Sequence, residues 1–346
     1  MIAPLDWGLG HATRSIPIVN EFLSRGCEVQ IASSGSALVL LRQEFPKIGF
    51  HELVSYKANY SARFSFMMKI LFQMPKFLMA IRKEHKQIEQ IVKDENIDLL
   101  ISDNRYGCWS SSVPSVLITH QINILMSPSW KWLEGIINYG NHQQIKKFNE
   151  CWIPDFPNGI TGRMTQSISQ SIKFIGIISR FQKRSVPMKR EILFLISGPE
   201  PQRSIFEMII TTAVTKVGSK SYLIVKGKPE SVNKCQENEV NHLSAAELNE
   251  AIESSQLIIS RSGYTTIMDL CKLEKKAVFV PTPGQTEQEY LAEQLKKNGT
   301  AFYQNQNEFD LELALNESKK YKGFGGYSTN SNLLANAIDN LLKPNS

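Results

Sequence analysis

No two cysteines in this sequence stand at C-x-x-C spacing, and the five present (Cys27, Cys108, Cys151, Cys235 and Cys271) are scattered. That fits reduced thiols in a cytoplasmic protein and argues against a disulfide framework. The six histidines include no H-x-x-x-H pair, and no two aspartates are separated by a single residue. No protein-built metal site is expected, and no cofactor. Long apolar runs are missing too. The longest, Phe64 to Ile81, is broken by Lys69, Gln73, Pro75 and Lys76, so it does not read as a membrane span. A dense Lys/Arg stripe with interleaved aromatics is absent, which argues against nucleic acid as a partner. The formal charge of +6 is modest for 346 residues and leaves room for a nucleotide or an acidic lipid surface. Low-complexity tracts, internal repeats and a recognisable signal peptide are also lacking.

What is present is a rhythm. Met1 to Leu5 reads as the tail of a first strand. A glycine loop follows, then a helix on the spacing of Ile16, Val19 and Leu23 that Gly26 stops. Glu28–Ala32, Ile97–Ser102 and Val116–Thr119 are expected strands, and Ala37–Phe45, Ser65–Lys93 and Pro128–Asn149 expected helices. Cys151-Trp-Ile-Pro-Asp155 is expected to begin the crossing to a second domain. There, Ile192–Ile196, Tyr222–Val225, Leu257–Ile259 and Ala277–Val280 are continuous apolar runs, as parallel strands buried on both faces should be. Capping boxes are expected at Ser204…Glu207, Ser244…Glu247 and Thr286…Glu289, with a weaker one at Thr266…Asp269. The pattern predicts an α/β protein of two Rossmann-like, doubly wound domains, residues 1–175 and 190–329. The last helix, within 330–346, is expected to pack back on the first domain.

Two loops dominate the second half: Arg261-Ser-Gly-Tyr-Thr265 after one strand, and the stretch from Pro281 to Glu289 after the next. Ligands of open α/β sheets sit beyond the carboxyl ends of the strands. Loops rich in Ser, Thr, Gln and Arg suit a phosphorylated, hydroxyl-rich ligand there. Ser197-Gly-Pro-Glu-Pro-Gln-Arg203 precedes a helix, and Arg203 beside free backbone N–H groups makes an anion site. Asp269 is either an acid of its helix's first turns or the acceptor of two ribose hydroxyls. Glu289 has the same two readings, whereas Gln288 has no evident local partner.

In the first half, Gly8-Leu-Gly-His-Ala-Thr13 departs from the dinucleotide fingerprint. Thr13 replaces its third glycine, and no acid follows Ala32 to hold a ribose. What remains is a tight turn at Gly8 and Gly10 that sets His11 at a helix N-terminus. His11 either caps that helix or transfers protons. Asp103 either starts an Asx-turn or orients His11 and stabilises its protonated form. Phe64–Ile81, with its polar stripe at Lys69, Gln73, Lys76 and Lys83, is either core or a basic amphipathic face for an anionic inner leaflet.

Arg261-Ser-Gly-Tyr-Thr-Thr-Ile-Met-Asp269, Phe279-Val-Pro281 and Gln288-Glu-Tyr290 resemble the donor-binding half of GT-B glycosyltransferases. The resemblance is to glycosyltransferase family 28, which adds N-acetylglucosamine to lipid-linked muramyl-pentapeptide, and to UDP-glucuronosyltransferase-like enzymes. It implies two domains facing a central cleft. It implies a ribose contact at Asp269 and a donor-sugar contact at Gln288 and Glu289, where the family's second Gln is replaced by Glu. It further implies His11 as base and Asp103 as its partner. Donor-side candidates are then Ser197, Gly198, Arg203, His242, Leu243, Arg261, Ser262, Gly263, Thr265, Asp269, Thr286, Gln288 and Glu289. Acceptor-side candidates are Gly8, Gly10, Arg14, Arg105 and His120. The expected activity is inverting, metal-independent transfer from a nucleotide-sugar, a UDP-sugar foremost, to an acceptor hydroxyl. A lipid-linked or cell-envelope glycan is the acceptor implied, met in the cytoplasm or at the membrane surface. Rival readings are a nucleotide-sugar hydrolase of the same fold, a UDP-sugar 2-epimerase and a non-catalytic nucleotide-sugar-binding protein.

Overall fold

The computed structural model describes residues 1–56, 66–166, 172–217, 221–229, 231, 235–327 and 332–343. The chain divides into two compact units, with the change near Phe181 and with the C-terminal helix belonging to the first.

The first unit opens with β1 (Ile2–Pro4), α1 (Gly10–Ser24), β2 (Gln30–Ser33), α2 (Gly35–Glu44) and β3 (Gly49–Glu52). It continues through α3 (Phe66–Asp94), β4 (Leu100–Asp103), β5 (Ser115–Ile118), α4 (Glu134–Ile145), β6 (Glu150–Ile153) and β7 (Ile172–Phe174). The strands form one parallel sheet in the order β3-β2-β1-β4-β5-β6-β7. Strand order reverses between β1 and β4, which makes the crevice at their carboxyl ends the natural place for a ligand. Both faces are covered. Ile2, Ile31, Ile101 and Val116 pack with Ile16, Val19 and Phe22 of α1. Ala3, Ala32 and Leu100 pack with Ile88 and Val92 of α3 on the other side. This is why these strands read as unbroken apolar runs.

The second unit holds β8 (Arg190–Leu195), α5 (Gln202–Val217), β9 (Tyr222–Val225), β10 (Glu239–Val240), α6 (Ala245–Glu253) and β11 (Ser255–Ser260). Next come α7 (Tyr264–Lys272), β12 (Lys276–Phe279), α8 (Thr286–Lys297), β13 (Phe302–Tyr303) and α9 (Leu311–Ser318). Its parallel sheet runs β10-β9-β8-β11-β12-β13, with the reversal between β8 and β11. The last helix, α10 (Leu333–Leu342), inserts Ala337 and Ile338 into the core beside α1, and Arg25 Nε reaches Asp339 at 2.6 Å.

Two expectations need correction. Cys151 to Ile153 does not begin the crossing: it lies in β6, wholly buried, and β7 follows it in the same sheet. Pro154 cuts the apolar run too short to show a strand's period. Of the capping boxes only Ser244…Glu247 forms, with Glu247 N donating to Ser244 Oγ and Ser244 N to Glu247 Oε2 at 2.8 Å. Ser204 lies inside α5, Thr266 inside α7 and Thr286 at the first residue of α8, one position past its cap Gln285. Glu289 instead accepts from Gly284 N at 2.8 Å. Part of Phe64–Ile81 lies outside the described residues. Among those described, no helix is long and apolar enough to cross a membrane.

Candidate active site

In the first unit the sheet's reversal point is furnished by two strand ends. Gly8, at φ +80°, folds the chain back on itself, its N–H bonding Asp6 O at 3.0 Å, and α1 starts at Gly10. His11 is thus the second residue of that helix. Asp103 closes β4 in register with Pro4 of β1, and Asn104 at φ +62° turns the chain away. Asn tolerates that left-handed conformation better than a bulkier residue. His11 Nδ1 stands 3.0 Å from Asp103 Oδ1, with 15% of the His11 side chain exposed and none of Asp103. One turn along α1, buried Arg14 donates Nε to Asp103 Oδ2 at 3.0 Å and Nη2 to Asp103 Oδ1. Its Nη2 also lies 2.9 Å from His11 Nδ1, and its Nη1 3.5 Å from Nδ1 of buried His120. Burial by itself would raise the pKa of Asp103. Arg14 and then His11 more than offset this and hold it well below the usual carboxylate range.

In the second unit four loops leave the carboxyl ends of β8, β10, β11 and β12. Ser197 and Gly198 (φ +117°) are exposed after β8. His242 is exposed and Leu243 half-buried after β10, just before the Ser244 cap. After β11, Gly263 is the N-cap of α7 and brings no capping side chain to that helix's first N–H groups. Gly263 and Thr265 are half-buried at that terminus, and Asp269 is half-buried at the sixth residue of α7. Thr286 and Gln288 are half-buried and Glu289 exposed on the first turn of α8. Among the described residues no three His, Cys, Asp or Glu side chains are grouped to hold a metal ion.

Residues 194–323 match the glycosyltransferase family 28 C-terminal domain, and residues 6–120 match glycosyl transferase family 1. An uncharacterized glycosyltransferase of Methanosarcina mazei is 23% identical over 325 residues, covering 84% of this chain and 82% of its own. In Buchnera aphidicola, the UDP-N-acetylglucosamine--N-acetylmuramyl-(pentapeptide) pyrophosphoryl-undecaprenol N-acetylglucosamine transferase is 29% identical over 251 residues, with 68% and 67% covered. Two solved structures share the architecture across nearly the whole chain. The glycotransferase of kitacinnamycin has a TM-score of 0.68 at 14% identity, covering 99% of this chain and 98% of that one. MurG of Acinetobacter baumannii has a TM-score of 0.62 at 15% identity, with 99% of each covered. The protein is a glycosyltransferase of the GT-B fold.

Several arginines of the glycosyltransferase serve its frame where the sequence suggests ligand contacts. Arg203, expected on a diphosphate, is buried and donates to Glu200 at 2.6 Å and Glu207 at 2.8 Å. Arg261, expected on the donor side, is 1% exposed and braces three segments. It bonds Val280 O at 2.9 Å, Pro281 O at 3.2 Å and Gln202 O at 2.9 Å, and lies 4.1 Å over the Phe206 ring. Burial pulls its pKa down to about 10. Arg105, expected on the acceptor side, is fully buried against Glu84 at 2.5 Å, with Val54 O at 2.7 Å. Arg14 points inward to Asp103. The hydroxyl of Ser262 is buried and donates to Gln288 O at 2.8 Å, tying the α7 loop to α8. Gln288 does have a local partner, accepting from Thr282 N at 2.9 Å.

The sequence offers no sign of Glu84, which sits in a charged helical run yet is wholly buried beneath Tyr56, Arg105 and Gly107 N. Asp6 also goes unremarked. It accepts from Ser34 Oγ at 2.8 Å and Ser55 Oγ at 2.6 Å, and so holds the strand ends that frame the glycine loop.

Proposed function

We propose that this glycosyltransferase transfers a sugar from a nucleotide-sugar, a UDP-sugar foremost, to an acceptor hydroxyl with inversion and without a metal ion. The 3.0 Å contact between His11 Nδ1 and fully buried Asp103 carries the reading. With the proton on Nδ1 directed at Asp103, Nε2 keeps its lone pair and takes the proton of the acceptor hydroxyl. The acceptor oxygen forms its bond to the anomeric carbon as the bond from that carbon to the diphosphate breaks, and the nucleoside diphosphate leaves. Asp103 steadies the imidazolium. The N-terminus of α7, whose cap residue is Gly263, and the Ser262-Gly263 backbone meet the diphosphate's charge, with Asp269 on the ribose and Gln288 and Glu289 on the sugar. The Buchnera relative's name supports a UDP-sugar donor and a lipid-linked acceptor. Exposed Met74, Leu78 and Met79 beside Lys76 on α3 suit work at an anionic membrane surface from the cytoplasm.

The test is turnover of UDP-sugars with hydroxyl acceptors by the parent protein and H11A. H11A is expected to lose about a hundredfold or more in kcat while binding UDP as the parent does. Full turnover by H11A would overturn the base. Rapid release of free sugar without an acceptor would mark a hydrolase, and a new sugar epimer without loss of UDP an epimerase.

A further inference from the structure

We propose that Arg14 is the positioning residue of the His11–Asp103 pair, fixing the carboxylate that selects the tautomer and orientation of the His11 ring. This rests on His11 being the base. Arg14 lies three residues after His11, on the same helix face. Its fork engages both oxygens of Asp103 through Nε and Nη2, so the carboxylate plane is fixed before any substrate arrives. At 2% exposure its charge is little screened by water.

Two opposing effects follow at Nδ1 of His11. Asp103 Oδ1 at 3.0 Å calls for a proton on Nδ1, the tautomer that leaves Nε2 free to act as base. Arg14 Nη2 at 2.9 Å offers the same nitrogen a donor, and a guanidinium has no lone pair with which to accept. The fork decides between them: with both carboxylate oxygens held, Oδ1 stays on Nδ1 and the ring keeps its Nδ1–H tautomer. Without the fork the carboxylate is free to turn, and that tautomer is lost.

The experiment compares kcat and UDP affinity for the parent, R14K and R14M, together with the nitrogen NMR spectrum of the His11 ring, which reports its tautomer without substrate. R14K keeps the cation and loses the fork, and its kcat is expected to fall about tenfold with UDP affinity unchanged. R14M is expected to lose more kcat, again with UDP affinity unchanged, and to lose the Nδ1–H tautomer in the ring spectrum. If R14M does not fold, R14Q, which keeps an N–H toward Asp103, is read in the same way. Parent-like kcat, or equal losses of kcat and UDP binding with the ring spectrum unchanged, would reduce Arg14 to scaffolding and overturn the proposal. Retained turnover in H11A sinks the base instead, and the ring spectrum still reports on Arg14.

Discussion

Asp103 has a catalytic assignment and a structural one, and a single substitution separates them. In D103N the carboxylate becomes an amide, which keeps one acceptor oxygen but adds an NH2 donor and removes the charge, so the tautomer is no longer selected and turnover is expected to drop about a thousandfold or more. The same change strips Arg14 of its counter-ion in a buried place, at a cost of about 3–5 kcal/mol near pH 7. The pH dependence has a definite sign. The folded-state pKa of Asp103 lies below its unfolded value of about 3.9. Its stabilisation is fully present above that value and is lost as pH falls through the folded-state pKa. Urea unfolding should show the full gap between parent and D103N at neutral pH, narrowing only in acid. A gap that closes well above the carboxylate range would refute the ion pair. At this scale the contact between His11 and Asp103 is legible in the sequence, because one stands just past the turn after β1 and the other ends β4. The arginines are less so. An arginine that binds a ligand and one that braces a frame are the same letter. The difference is made by distant partners: Glu84 reaches Arg105, and the carbonyls of Val280 and Pro281 reach Arg261.

At the scale of elements, the strands buried on both faces stand out because apolar residues run through them without a break. The short strands do not. Two to four residues, as in β3, β10 and β13, cannot display a period of two, and only their neighbours in the sheet define them. Helix starts carry the same lesson. Ser204 and Ser244 each stand three residues before a glutamate, but only Ser244 falls at the helix boundary, because α5 has already begun at Gln202. S244A should therefore cost about 1 kcal/mol, the usual value of an N-cap. S204A, on an exposed helical position, should stay within about 0.5 kcal/mol. Denaturant midpoints of the two variants would measure this. Equal losses would mean that the spacing itself, rather than its placement, sets the effect.

For the whole molecule, the chain's far end completes the core of its beginning. Ile338 of α10 is fully buried among residues of α1, β1 and β2, so the first unit is unfinished until the last helix is made. All five tryptophans (Trp7, Trp109, Trp130, Trp132 and Trp152) lie in that first unit, so indole fluorescence reports its unfolding alone. I338A removes buried methyl groups and should lower the fluorescence-detected stability by about 3 kcal/mol. The second unit contributes none of that signal, although its helices contribute to far-UV circular dichroism. UDP, placed by the proposed function on the second unit, should then act in the opposite compartment. At 100 times its dissociation constant it should add about 2.7 kcal/mol to the dichroism transition that fluorescence does not follow. The same UDP should leave the tryptophan transition of I338A where it was. A UDP effect confined to the tryptophan transition would put the nucleotide on the wrong unit, and with it the division of labour between His11 on one sheet and the α7 terminus on the other.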